Sequence, residues 1–192
     1  MDPDADPGWR PAVGGALKGM IPVWGPLTQK RRAPGDGLLG LRVIFLSFVV
    51  ALAAIGVVVT ILEANDALGN TTPEGPVAVV VAALGVASLV AGPALRRPLP
   101  CGSAIELAAG YRTRFFVQVA IAESVALAGF VGFILTGAGW LYPLGAAFSA
   151  VGFARLAPTA GRLQADQEEL RLRGCSEPLV PALRQPFRPE PG

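Results

Sequence analysis

The chain has 192 residues, of which 52% are hydrophobic and 16% charged, with a net charge of +2 and a mean hydropathy of +0.51. A soluble domain spends about a quarter of its residues on charge, so this composition leaves too little polar surface to cover a water-soluble globule. The absence of histidine removes the commonest metal ligand and general base, and the small net charge gives no sign of a nucleic-acid partner.

Residues 1–42 read as a disordered tail. Pro3, Pro7, Pro11, Pro22, Pro26 and Pro34 prevent a long helix. Trp9, Met20, Ile21, Val23 and Trp24 interrupt its polarity, either touching the membrane interface, where Trp is favoured, or doing nothing.

The first span is expected over 43–62, a charge-free run of the length that crosses about 30 Å of hydrocarbon. It starts too late and runs too long for a cleavable signal peptide. The second is expected over 76–95, the third over 115–135 and the fourth over 140–157, with Arg155 near its end. Only Thr136, Gly137, Ala138 and Gly139 separate the last two, which makes them an antiparallel hairpin. Together these give an all-α fold, a four-helix membrane bundle over 43–160.

Charge orients the bundle. The segment between spans one and two carries Glu63, Asp66 and Glu74 but no Lys or Arg. Lys30, Arg31, Arg32 and Arg42 precede span one. Arg96, Arg97, Arg112 and Arg114 lie between spans two and three, and Arg155, Arg162, Arg171 and Arg173 follow on the last side. By the positive-inside rule that side, with both termini, is cytoplasmic. Cys101 and Cys175 then lie where thiols stay reduced, so no structural disulfide is expected. They form no CxxC pair either, and no metal site is expected.

Small residues recur at helical spacing: Ala83, Ala87 and Ala91 with Gly85, Ser88 and Gly92; Ala122, Ala126 and Gly129; Ala146, Ala150 and Ala154. Such faces let membrane helices approach closely, within one chain or between chains. Residues 161–192 read as a continuation of the fourth helix, with i,i+4 pairs at Arg162/Asp166 and Glu169/Arg173. It stops at Gly174, and a Pro-rich tail begins at Pro178.

Glu123 is the residue that asks for an explanation. It lies eight residues into span three, about 12 Å below the cytoplasmic end at 1.5 Å per residue. An acidic side chain there costs about 2.5–3.5 kcal/mol on insertion scales. The ionised form is disfavoured, so a carboxyl at this depth is a candidate proton- or ion-binding group. The structural alternative is an ion pair with Arg155 on the neighbouring span. Gln118 and Ser124 are supporting candidates as hydrogen-bond partners of a neighbouring helix or of the carboxylate. Ser103 and Glu106 fit a capping box that starts the helix leading into span three.

The run from Glu106 to Val131, with Arg112-Thr113, Ala120, Glu123, Ala126-Leu127, Gly129 and Val131, resembles the second helix of the proteolipid c subunit of F-type ATP synthases. Arg96-Arg97-Pro98 is similar to that family's Arg-x-Pro loop. The resemblance covers about residues 96–135 and implies a cytoplasmic loop and an ion-carrying role for Glu123. Spans one and four have no counterpart in a two-helix proteolipid, and several extra residues separate Pro98 from Glu106.

No phosphate-binding loop, triad or metal cluster is present, so neither an enzyme nor a cofactor is expected. Lys occurs only at Lys18 and Lys30, an Arg bias associated with GC-rich bacterial genomes. The expectation is a multi-pass protein of the bacterial inner (plasma) membrane. Its partners would be the lipid bilayer and other membrane subunits or a second copy. It would bind a proton or ion through Glu123, or serve as a non-catalytic accessory subunit of a larger complex.

Overall fold

The computed structural model describes residues 8–14, 36–65, 68, 72–94, 96 and 98–185, and among these the only regular secondary structure is helical. Six helices follow a helical turn at 10–14: α1 (Gly37–Ala64), α2 (Glu74–Ala94), α3 (Ala104–Thr136), α4 (Leu141–Leu156), α5 (Ala160–Leu172) and α6 (Leu179–Arg184). Three of them, α1, α2 and α3, are long and apolar enough to cross a membrane; α4 is apolar but shorter, at 16 residues.

Local chemistry sets the helix limits. The Asp36 carboxylate accepts from the Leu38 and Leu39 amides at 3.0 and 3.3 Å and caps α1, which therefore begins at Gly37, ahead of the apolar run. The expected capping box opens α3: Glu106 N–H donates to the Ser103 hydroxyl and Ser103 N–H to the Glu106 carboxylate. From there α3 runs unbroken for 33 residues, about 50 Å. It ends where Gly137 turns to φ +73°, a left-handed conformation that only glycine adopts at little cost.

The expected continuation of the fourth helix is corrected. Helix α4 stops at Leu156 because Pro158 has no amide to extend the ladder. Thr159 then caps a new helix, accepting from Arg162 N–H at 3.4 Å. Helix α5 ends at Leu172, just before Gly174 at φ +80°.

The ends of the chain also differ from expectation. Residues 178–185, expected as Pro-rich tail, carry α6, with Leu179, Ala182 and Leu183 buried. Pro178 stands just outside that helix and Pro181 in its first turn, positions that need no amide. Residues 8–14 carry Trp9, whose ring meets Phe45 edge-on at 5.9 Å. Met20, Ile21, Val23, Trp24 and the prolines from Pro186 onward lie outside the described residues.

The chain divides into two compact units. The first gathers residues up to Ser47, Pro98–Thr113 and residues from Ala157 onward; the second comprises Phe48–Arg97 and Arg114–Leu156.

In the first unit, Leu38, Leu41, Leu107, Leu163, Leu170, Leu179 and Leu183 form the core. Arg42, expected as a charge at the membrane entrance, is fully buried there. Its Nε and Nη2 donate to Pro158 O at 3.2 and 3.0 Å, its Nη1 donates to Gly8 O at 2.8 Å, and it lies 5.2 Å from the centre of the Trp9 ring. Asp36 pairs with Arg184 at 2.8 Å, and Arg112 Nη2 donates to Gln185 O at 2.8 Å. The Gln167 amide accepts from Leu179 N–H at 2.6 Å and donates to Glu177 O at 3.4 Å, which seats α6 against α5.

Cys101 and Cys175 are joined in a disulfide, with Cα atoms 5.3 Å apart, which overturns the expected pair of free thiols. The turn at Gly174 and a 2.9 Å bond from Arg173 Nη1 to Leu99 O bring the two segments together. That spacing suits a disulfide.

In the second unit the outward faces are apolar: Val57, Val79, Val90 and Val131 are each more than half exposed. So large an apolar surface is stable only in contact with lipid or another apolar partner. With three helices of spanning length, this makes the chain a membrane protein.

Candidate functional site

The site lies along α3 within the second unit, and α4 defines it. Although it is the shortest of that unit's four helices, α4 touches the other three. Its Tyr142 hydroxyl donates to Leu52 O of α1, and Gly56 of α1 lies against the same ring. Its Phe148 covers Gly85 of α2. Just before α4, Trp140 Nε1 donates to Glu74 of α2 at 2.9 Å.

Against α3 the contact is backbone on backbone. A Cβ at Gly145 would fall 2.5 Å from Val125 O and 3.2 Å from Gly129 Cα; one at Gly129 would fall 2.6 Å from Leu141 O. The facing small residues are therefore Ala122, Ala126 and Gly129 on α3, as expected, but Gly145, Ser149 and Gly152 on α4. Ala150 and Ala154, expected on that face, are exposed, as are Ala83 and Ala87 of α2, where Gly85 makes the contact. Gly145 and Gly129 allow the two backbones to approach closely, whereas Gly85 leaves room for the Phe148 ring.

Ser149 makes the polar link between the two helices. Its Oγ accepts from Ala126 N–H at 3.0 Å and donates to Ala122 O at 2.6 Å. Those two backbone groups are the i and i−4 partners of a regular helix. The hydroxyl thus bonds both ends of one rung of the α3 ladder. Glu123 is the residue immediately after Ala122, half-buried on the side of α3 next to this face.

The expected supporting residues are not gathered around Glu123. Gln118, 8% exposed, donates from Nε2 to Gly92 O at 3.4 Å, one of the last four carbonyls of α2 that have no helical partner. Ser124 donates to Ile121 O in its own helix at 2.8 Å. Arg155 points its Nη1 at Leu89 O, 3.5 Å away. That carbonyl lacks its usual i+4 donor because residue 93 is a proline. Among the described residues no hydrogen bond or ion pair holds Glu123, so the carboxyl and Arg155 are not a locked pair.

Sequence reasoning missed Ser149, Tyr142 and Gly145. The available signal was Gly145-x-x-x-Ser149, small residues at i and i+4 in a span that a four-residue turn forces against α3. Among the described residues no group of His, Cys, Asp or Glu is placed to hold a metal ion. Comparisons with protein-family models, with curated proteins and with solved structures found no match.

Proposed function

We propose that the chain is a four-span protein of the bacterial inner membrane that reversibly binds a proton or other small cation at Glu123. Its Arg-rich helix ends and both termini face the cytoplasm. The observation that carries this reading is the carboxyl of Glu123, half-buried in an apolar helix with no cation engaged by it among the described residues. A carboxylic acid there rests neutral and ionises when water or a cation reaches it. The partial likeness of residues 96–135 to the proteolipid c subunit supports the same role.

Four spans rest on α4. At 16 residues it is about 24 Å long, and its contacts with α1, α2 and α3 make it part of any bundle they form. Orientation rests on the contrast between Glu63 and Glu74 at one end of the second unit and Arg96, Arg114 and Arg155 at the other.

The experiment is labelling of the membrane-embedded protein with a hydrophobic carbodiimide, which attacks protonated carboxyls in apolar surroundings. Glu123 should be modified, and raising the pH or the sodium concentration should slow the modification. Glu123→Gln should abolish labelling while the protein inserts and folds. An unreactive Glu123, together with a Gln variant destabilised by the roughly 3–5 kcal/mol of a broken buried ion pair, would sink the reading.

The half-buried position of Glu123, beside exposed Ser124 and Leu127, also fits an accessory subunit that presents this face to another membrane protein. A carboxyl that reacts in the isolated protein but is shielded in native membranes would favour that second reading.

A further inference from the structure

The Cys101–Cys175 disulfide stands apart from everything argued for Glu123, and it belongs entirely to the first unit. It joins the extended segment before α3 to the turn after α5. Cys175 is buried, at 7% exposure, and Cys101 is exposed, so an attacking thiolate has one accessible sulfur.

The segment it fastens is otherwise held by its buried Leu163, Leu170, Leu179 and Leu183 and by a few polar ties: Arg173 to Leu99 O, Arg112 to Gln185 O, and the part-exposed Asp36–Arg184 pair. Arg173 is two positions from Cys175 and bonds a residue two positions from Cys101. It places a cation two positions along the chain from Cys175 and on the segment that carries Cys101, and a cation near a cysteine favours the thiolate that carries out exchange.

The Arg distribution assigns this end of the chain to the cytoplasm, where a disulfide persists only as a transient, redox-linked state. From these observations together we infer that Cys101–Cys175 is a redox latch on the C-terminal α5–α6 segment, closed by oxidation and opened by a cytoplasmic dithiol. In opening, a dithiol thiolate attacks Cys101 Sγ and releases the Cys175 thiolate, which takes up a proton. The second thiol of the reductant then displaces Cys101 from the mixed disulfide. The reductant leaves as a disulfide, two electrons pass to the protein, and both cysteines end as thiols. Closing is the reverse exchange with a disulfide-bearing oxidant, which leaves as a dithiol after taking two electrons from the protein.

This inference rests on the cytoplasmic orientation proposed above, so the test reads orientation and latch separately. The first arm uses intact cells: thiols are trapped in acid, and the Cys101/Cys175 pair is counted with a mass-adding maleimide after growth and after a diamide pulse. The pair should be mainly reduced in growth and mainly oxidised within minutes of the pulse. A pair oxidised at all times, or never oxidised, overturns the latch.

The second arm uses the full chain in lipid nanodiscs and follows amide exchange with and without dithiol. Reduction should speed exchange over 160–185 by roughly thirty-fold or more, the lower range for loss of one disulfide, and leave 114–156 unchanged. The Cys101→Ser/Cys175→Ser variant should exchange at the fast rate with or without reductant. Should that variant misfold, wild-type protein reduced after folding gives the same comparison. Equal exchange in the two redox states overturns the latch.

A membrane-impermeant maleimide applied to the reduced protein in sealed right-side-out vesicles reads orientation alone. Labelling there refutes the cytoplasmic assignment and the latch together. Protection there, with equal exchange in the nanodisc arm, refutes only the latch.

Discussion

Replacing Gly145 by Ala tests the central contact of the apolar unit. The added Cβ would lie 2.5 Å from Val125 O and 3.2 Å from Gly129 Cα, against 3.4 Å for an ordinary contact. Both neighbours are backbone atoms, so no side chain can swing aside, and α3 and α4 must separate by most of the missing 0.9 Å. That movement stretches the two Ser149 bonds, now 2.6 and 3.0 Å, to the edge of hydrogen bonding. Overpacking of this kind costs about 1–3 kcal/mol, and each interhelical hydrogen bond in a membrane about 0.6 kcal/mol. We expect a loss of about 2–4 kcal/mol in reversible unfolding by SDS in mixed micelles. Gly92→Ala is the control: a Cβ there meets nothing within 4 Å, and the change should be neutral or stabilising by up to about 1 kcal/mol. If Gly145→Ala matches Gly92→Ala, the backbone-on-backbone packing of α3 and α4 is wrong.

Three further outcomes follow from particular contacts. Asp36→Ala removes both the α1 cap and the partner of Arg184; it should cost about 1–2 kcal/mol, with amide exchange rising at residues 37–40, and unchanged exchange there would refute the cap. Tyr142→Phe loses the bond to Leu52 O but keeps the ring against Gly56, so it should cost about 0.6–1.7 kcal/mol in the same SDS assay, and a neutral result would show the hydroxyl to be unpaired. Gly174→Ala places a side chain at φ +80° and should cost about 1–2 kcal/mol; a Gly174→Asn variant, better tolerated in that conformation, should recover part of the loss.

The membrane character of the chain is legible from its residues alone, because hydrocarbon length and charge exclusion act on the linear chain. So are the capping box at Ser103 and Glu106, the stop at Gly174, and the α3–α4 hairpin forced by a four-residue turn. Each depends on residues within one or two turns of one another. The faces of α2 and α4 are not legible in this way. Ala and Gly alternate along both helices, and only the packed bundle chooses Gly85 and Gly145 over Ala83, Ala87, Ala150 and Ala154.

For the candidate site, the sequence singles out Glu123 by its cost at mid-membrane depth. Where Arg155 points is decided elsewhere, by a carbonyl at Leu89 left without a donor. The disulfide, the buried Arg42 and the packed α6 belong wholly to tertiary structure. Each joins segments separated by tens of residues, with Arg42 and Pro158 116 positions apart. A pattern read along the chain carries local propensity and hydropathy, whereas pairings at that separation depend on which folded surfaces fit together.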